Sequence, residues 1–301
     1  MGIANSLKNN KKRIITGVIV SLIALFCVIR GGLPLLLLIL IFVYLGSKEY
    51  CEILRHKGFF PFFKVIFTLG VFLTVLTSFG CFELIPLVLA GGIIASFLAV
   101  LFRGRQPYIA NVATTILGFS FAWLPCYIIL IRQLGSDDIG FFKWHFNDGM
   151  NYLILIFFVI LATDIGAYYF GSKYGKTKLA EIISPKKTVE GAIAGSICAI
   201  LVSLVIGHII QMQWYHSIVV GALITAFAQL GDLSESLIKR DAGVKDSGDS
   251  LPGHGGFLDR ADSYLFSAPV AYYYLKYFVV DSCTICDIIN CIKKALHVIG
   301  I

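Results

Sequence analysis

The sequence predicts an all-α, polytopic integral membrane protein without a β-sheet core, and three observations predict it. First, 57% of its 301 residues are hydrophobic and 14% charged, with a mean hydropathy of +0.83; a water-soluble domain of that length needs far more polar surface. Second, the apolar residues gather into runs near the roughly 20 residues that a helix needs to cross the hydrocarbon layer. Third, lysines and arginines sort to alternate connections between those runs. The net charge of +7 therefore reports first which loops stay in the cytoplasm, and no nucleic-acid partner is expected.

Taken in order, about nine transmembrane helices are expected, at 14–29, 33–47, 62–79, 84–102, 109–131, 151–170, 190–210, 215–231 and 263–280. The first two are short enough to form one tight hairpin at Arg30-Gly31-Gly32-Leu33-Pro34. Segment 281–301 alternates apolar and polar residues and reads as an interfacial tail. The first apolar run lacks the small-residue pattern of a cleaved signal peptide. With the N-terminus inside, the inner connections collect 19 Lys and Arg, from Lys8 to Arg260, against six outside: Arg30, Arg132, Lys143, Lys276, Lys293 and Lys294. Segments 171–189 and 232–262 share a side in either orientation, because two spans separate them. The chain reads as a single membrane domain over 1–301. Residues 1–135 form its N-terminal helical region with plain loops, residues 136–280 its catalytic region, and residues 281–301 the tail.

The eight cysteines form no disulfide framework. Cys27, Cys126 and Cys198 lie in apolar runs, where a thiol acts as a small hydrophobe. Cys283-Thr-Ile-Cys286 has ligand spacing but no second pair follows, so ordinary tail residues are expected.

The chemistry concentrates between 160 and 263. If the span before Gly231 continues as a helix, Asp232, Glu235, Ser236 and Lys239 share one face. Such a stripe either surfaces into water or lines a wet cavity. Lys245, Asp246, Asp249, Pro252, Gly253, His254, Gly255 and Gly256 follow in a stretch that cannot be a regular helix. Successive free amides at 253–256 make a phosphate cradle plausible, and the alternative is a mere connector. Asp259 and Asp262 stand three apart as the last helix begins, and hard carboxylate oxygens suit Mg²⁺. Asp164 interrupts an apolar span, sharing a face with Tyr168 and Gly171. It reads as a site residue or as a carboxylate paired for packing. Ser184-Pro185-Lys186-Lys187-Thr188 precedes a helix that starts at Glu190-Gly191, so its lysines are either topology signals or members of an anion site at that helix's N-terminus. Gly171-Ser-Lys-Tyr-Gly175-Lys176-Thr177 imitates a P-loop, but has three residues between its glycines where four are needed and follows a membrane helix instead of a strand.

Residues 236–262, with Ser236, Lys239-Arg240, Lys245-Asp246 and Leu251-Pro252-Gly253-His254-Gly255-Gly256-Phe257-Leu258-Asp259-Arg260-Ala261-Asp262, resemble the signature of phosphatidate cytidylyltransferases (CDP-diacylglycerol synthases) at fixed spacing. Ala261 departs from the larger apolar residue or Thr usual there. Asp164, Gly171, Gly175-Lys176, Ser184 to Thr188 and Glu190-Gly191 also resemble family positions, whereas the N-terminal third is similar only in being apolar and of comparable length. The resemblance implies a Mg²⁺-dependent enzyme of the bacterial cytoplasmic membrane, with room for a monovalent cation such as K⁺, that transfers CMP from CTP to phosphatidic acid on the cytoplasmic side. It implies metal binding at Asp232 and Asp259; in a mechanism built on that pair, Asp262 and Asp246 would assist. Lys239, Arg240, Lys245 and Arg260 would pair with phosphate oxygens. Lys186 and Lys187 would receive the triphosphate or the lipid head group, with Ser184, Ser236, Gly255, Gly256 and Asp164 around the substrates. His254 would bind a phosphate or act as an acid. Two alternatives stand: a CTP-dependent kinase of a polyprenol or phytol-like lipid, and a secondary transporter, which would need an internal repeat absent from residues 1–135. Gly191-x-x-x-Gly195 is compatible with a homodimer contact.

Overall fold

The computed structural model describes residues 22–103, 105–135, 148–248, 250 and 255–281. Within them residues 22–30 are helical up to a break at Gly31, and the helices that follow are α1 (Gly32–His56), α2 (Phe63–Ser78), α3 (Ile85–Arg103), α4 (Tyr108–Trp123), α5 (Cys126–Gln133), α6 (Asp148–Tyr174), α7 (Val189–Ile209), α8 (Trp214–Asp241) and α9 (Asp262–Tyr274). A two-stranded antiparallel hairpin, β1 (Lys178–Ala180) and β2 (Ser184–Thr188), separates α6 from α7. Among the described residues six segments are long and apolar enough to span a membrane: Gly32–His56, Phe82–Phe102, Tyr108–Gln133, Asp148–Tyr174, Val189–Ile209 and Trp214–Asp241. Their outer surface is apolar, with Phe102 84% and Ile109 87% exposed, which suits acyl chains better than water. The protein is a polytopic, all-α membrane protein.

Several boundaries differ from expectation. The span expected over 109–131 is found as Tyr108–Gln133, with an internal break into two helices because Pro125 has no N–H to continue the ladder and its ring crowds the preceding turn. The span expected to end at 231 runs on to Asp241; its 28 residues measure about 42 Å against a hydrocarbon layer of about 30 Å. Residues 232–241 therefore emerge at one end. The stretch 184–188, expected as a loop, is a strand, so Lys186 is exposed while Lys187 is half-buried. The tail with Cys283 and Cys286 lies outside the described residues, as do 14–21 of the first expected span.

Connections alternate between two ends of the bundle. At one end Lys57 Nζ meets Asp241 at 3.0 Å, the Phe60 amide donates to Asn111 at 2.7 Å and Arg240 Nε donates to the Ile183 carbonyl at 3.2 Å. At the other, Arg132 Nε donates to the Val28 carbonyl at 2.9 Å, Gln133 donates to the Ser78 carbonyl at 3.0 Å, and His216 meets Tyr274 at 2.9 Å. The described residues of segments 171–189 and 232–262 lie together at the first end.

The packing of α6, α7 and α8 fixes Asp164 beside that end. A Cβ on Gly191 would stand 2.7 Å from the Ala167 carbonyl oxygen, and one on Gly195 2.7 Å from that of Thr163. The small-residue pair expected at a dimer contact thus serves close approach of α7 to α6 within the chain. Thr163 then donates to Thr225 at 3.1 Å, and Gln229 donates to Thr225 at 3.1 Å and Ser196 at 3.2 Å. The two that cross between helices, Thr163–Thr225 and Gln229–Ser196, contribute about 0.6 kcal/mol each in lipid.

Candidate active site

The helical stripe on α8 turns inward as its spacing predicts. Glu235, Ser236 and Lys239 are buried. Lys239 donates to Glu235 at 2.9 Å and to Asp259, so one ammonium joins the helix to the loop ahead of α9. Asp232, one turn earlier, is 33% exposed and pairs with Lys187 of β2 while accepting from Ser236 at 3.4 Å. Arg240 binds the Ile183 carbonyl and, at 3.1 Å, that of Val244, tying both hairpin and loop to α8.

Asp259 sits in a 3₁₀ turn, Leu258–Arg260. Its Oδ2 accepts from the amides of Ser247 at 3.0 Å and Gly256 at 3.1 Å. Burial raises its pKa, but Lys239 and those two amides outweigh burial and hold the carboxyl below its usual range. A Cβ on Gly256 would overlap Ser247 Oγ and stand 2.8 Å from Glu49 Oε2, so only glycine fits there. Of the amides expected to form a phosphate cradle, that of Gly256 turns inward to Asp259. Gly255 adopts a left-handed φ of 82°, and Gly253 and His254 lie outside the described residues. Lys186, Lys245, Asp246 and Arg260 are exposed, and Ser184 is half-buried.

Sequence reasoning missed Glu49. It is 0% exposed, accepting from the Phe257 and Leu258 amides at 2.8 Å each and from the Ser247 hydroxyl at 3.0 Å. Residues 1–135, read as apolar spans with plain loops, thus include a helix, α1, whose Glu49 reaches the loop of the signature. An acidic residue at the end of an apolar run is the one sequence signal that could have found it.

Asp232 lies within electrostatic reach of both Asp164 and Asp262, and Asp164 also of Lys187. Asp262 begins α9 and accepts from the Ser263 amide at 2.6 Å; Gly231 allows its backbone close, since a Cβ there would stand 2.5 Å from the Asp262 carbonyl oxygen. Among the described residues no group of three or more His, Cys, Asp or Glu is assembled for a metal. Mg²⁺ commonly takes one or two carboxylates and completes its shell with phosphates and water. Asp232, partly exposed and flanked by further carboxylates, fits such a donor set. Asp259 already accepts three hydrogen bonds, close to the roughly four sites a carboxylate offers.

The P-loop imitation is inert as read. The amides of Lys176 and Thr177 both donate to Glu190 at 3.1 Å, and Thr188 caps α7 by accepting from the Gly191 amide at 3.2 Å.

The site thus presents exposed and half-buried cations around partly desolvated carboxylates at the end of a membrane bundle, an arrangement that can align two anionic groups. A family model described as "Cytidylyltransferase family" matches residues 11–278. A phosphatidate cytidylyltransferase of Synechocystis sp. is 38% identical over 88% of this chain and 96% of its own. One of Bacillus subtilis is 35% identical over 89% and 98%. The Arabidopsis thaliana protein named "Phosphatidate cytidylyltransferase 4, chloroplastic" is 32% identical over 88% of this chain and 73% of its own.

Proposed function

Because the chain belongs to the cytidylyltransferase family and is a nucleotidyltransferase, we propose that it transfers the cytidylyl group of CTP to phosphatidic acid, giving CDP-diacylglycerol and pyrophosphate. The observation that carries the reading is the junction of α8, hairpin and loop, where Lys187–Asp232 and Lys239–Asp259 pairs stand side by side on one helix face. The names of the similar proteins supply the substrates.

The phosphate of phosphatidic acid attacks the α-phosphorus of CTP, and pyrophosphate leaves. Such a transfer needs alignment of anions and neutralisation of charge, with little covalent work by the protein. The nucleophile is already an anion near neutral pH, so the chain need supply no strong base. Lys186, Lys245 and Arg260 would meet phosphate oxygens from the exposed rim. Arg240, exposed and oriented by two carbonyls, would meet them from the rim as well, whereas Lys187 and Lys239, each oriented by a carboxylate, would meet them from within. Asp232 would hold Mg²⁺, with Asp259 and Asp262 beside it; the ion would supply neutralisation of phosphate charge. Asp164, Ser184 and Ser236 line the approach. Diacyl tails stay in lipid while the nucleotide arrives from water.

We place the site on the cytoplasmic side of a bacterial inner membrane, on the strength of 19 inner against six outer Lys and Arg. The test is pyrophosphate release by purified protein with CTP, phosphatidic acid and Mg²⁺, compared with Asp259→Asn. The wild type should release pyrophosphate and the variant almost none, with both still folded; equal turnover would remove Asp259 from the site.

A further inference from the structure

We propose that Glu49 is a positioning residue of the site, holding the loop that carries Asp259 in register with α8. Its activity consequence rests on the cytidylyltransferase reading above; the geometric claim does not. Glu49 belongs to α1, some 200 residues from its partners in the chain (198 to Ser247 and 209 to Leu258). Its side chain is wholly buried, and its three partners are neutral donors: the amides of Phe257 and Leu258 and the hydroxyl of Ser247.

A charge taken from water is tolerated only where hydrogen bonds replace its hydration. Here they come from both sides of one loop, 247 on one and 257–258 on the other. Asp259 grips the same loop from inside, through the amides of Ser247 and Gly256, and its own amide donates to Ser247 Oγ at 3.4 Å. Ser247 is therefore the shared node: its amide serves Asp259 and its hydroxyl serves Glu49. Two carboxylates clamp the loop, and the orientation of Asp259 that receives Lys239 depends on the outer one. A glutamine offers one acceptor oxygen and turns an NH₂ toward a site lined by donors, so Glu49→Gln should release the loop while preserving side-chain volume.

The test uses the full chain in detergent micelles with three variants: Glu49→Gln, Ser247→Ala and the double variant. Two readouts are taken, tryptic cleavage after the exposed Lys245 and turnover of CTP with phosphatidic acid. Glu49→Gln should speed cleavage after Lys245 at least tenfold and lower kcat at least tenfold, with KM for CTP within threefold. The double variant should be no worse than Glu49→Gln alone, because both changes break one clamp. Cleavage and kcat within twofold of wild type would overturn the role. So would loss of helical content in Glu49→Gln with Ser247→Ala, which leaves α1 intact, matching wild type in both readouts. A wild type that turns over neither substrate would sink the functional reading, while the cleavage readout would still decide the clamp.

Discussion

Lys239 stands between two carboxylates with 9% of its side chain exposed, and the chemistry of the site turns on how that charge is shared. Among the described residues Glu235 takes one hydrogen bond from Lys239 and its Oε1 takes none, so Asp259 is the better-satisfied acceptor. Asp259 carries a depressed pKa, burial opposing and Lys239 with the two amides prevailing. Its contribution to stability is therefore complete above the ordinary aspartate value of about 3.9 and is lost as pH falls through the lower folded value. Thermal unfolding followed from about pH 6 to about pH 3 should show an acid-side loss in the wild type that is smaller in Asp259→Asn; identical slopes would contradict the assignment. At this scale the sequence disclosed what helical periodicity carries, namely Asp232, Ser236 and Lys239 on one face. Glu49 carried a weaker signal, an acidic residue closing an apolar run: its partners are distant in the chain, and its neighbours Lys48 and Glu52 make it read as an ordinary charged helix end.

Among the elements, α8 and the hairpin do the positioning. The helix outruns the hydrocarbon layer by roughly two turns, which carries its polar face clear of lipid without a break in hydrogen bonding. The hairpin brings Lys187 to Asp232 because strand alternation points one lysine inward and the other out. Strands of three and five residues, one containing Pro185, fall below what a pattern of alternation can reveal, so the stretch read as loop. The break at Pro125 was likewise hidden inside an uninterrupted apolar run, although proline chemistry explains it. The start of α7 was readable, since Thr188 and Glu190 are ordinary first-turn residues. Thr188→Ala removes the cap of that helix and should lower stability by about 1 kcal/mol, measured as a shift in denaturation midpoint in mixed micelles. No shift would mean that the β2–α7 junction is held by the hairpin alone.

For the whole molecule, composition and charge sorting were enough to give a polytopic helical bundle, because both follow from transfer free energies summed over many residues. The meeting of α1 with the last loop was not readable, since it depends on how helices distant in sequence pack. The alternation of ends predicts an accessibility pattern. In a background lacking other cysteines, Lys57→Cys and Lys186→Cys should react with a membrane-impermeant maleimide from one side of sealed vesicles. The exposed Cys81, which follows the helix end that Gln133 binds, should react only from the other. Labelling of all three from one side would refute the arrangement.

The most direct measurement uses CTP labelled at either the α- or the γ-phosphate, supplied with phosphatidic acid and Mg²⁺. The α-label should enter the lipid as CDP-diacylglycerol while the γ-label leaves as pyrophosphate. Transfer of the γ-label to lipid, or no lipid product from a folded protein, would contradict cytidylyl transfer at this site.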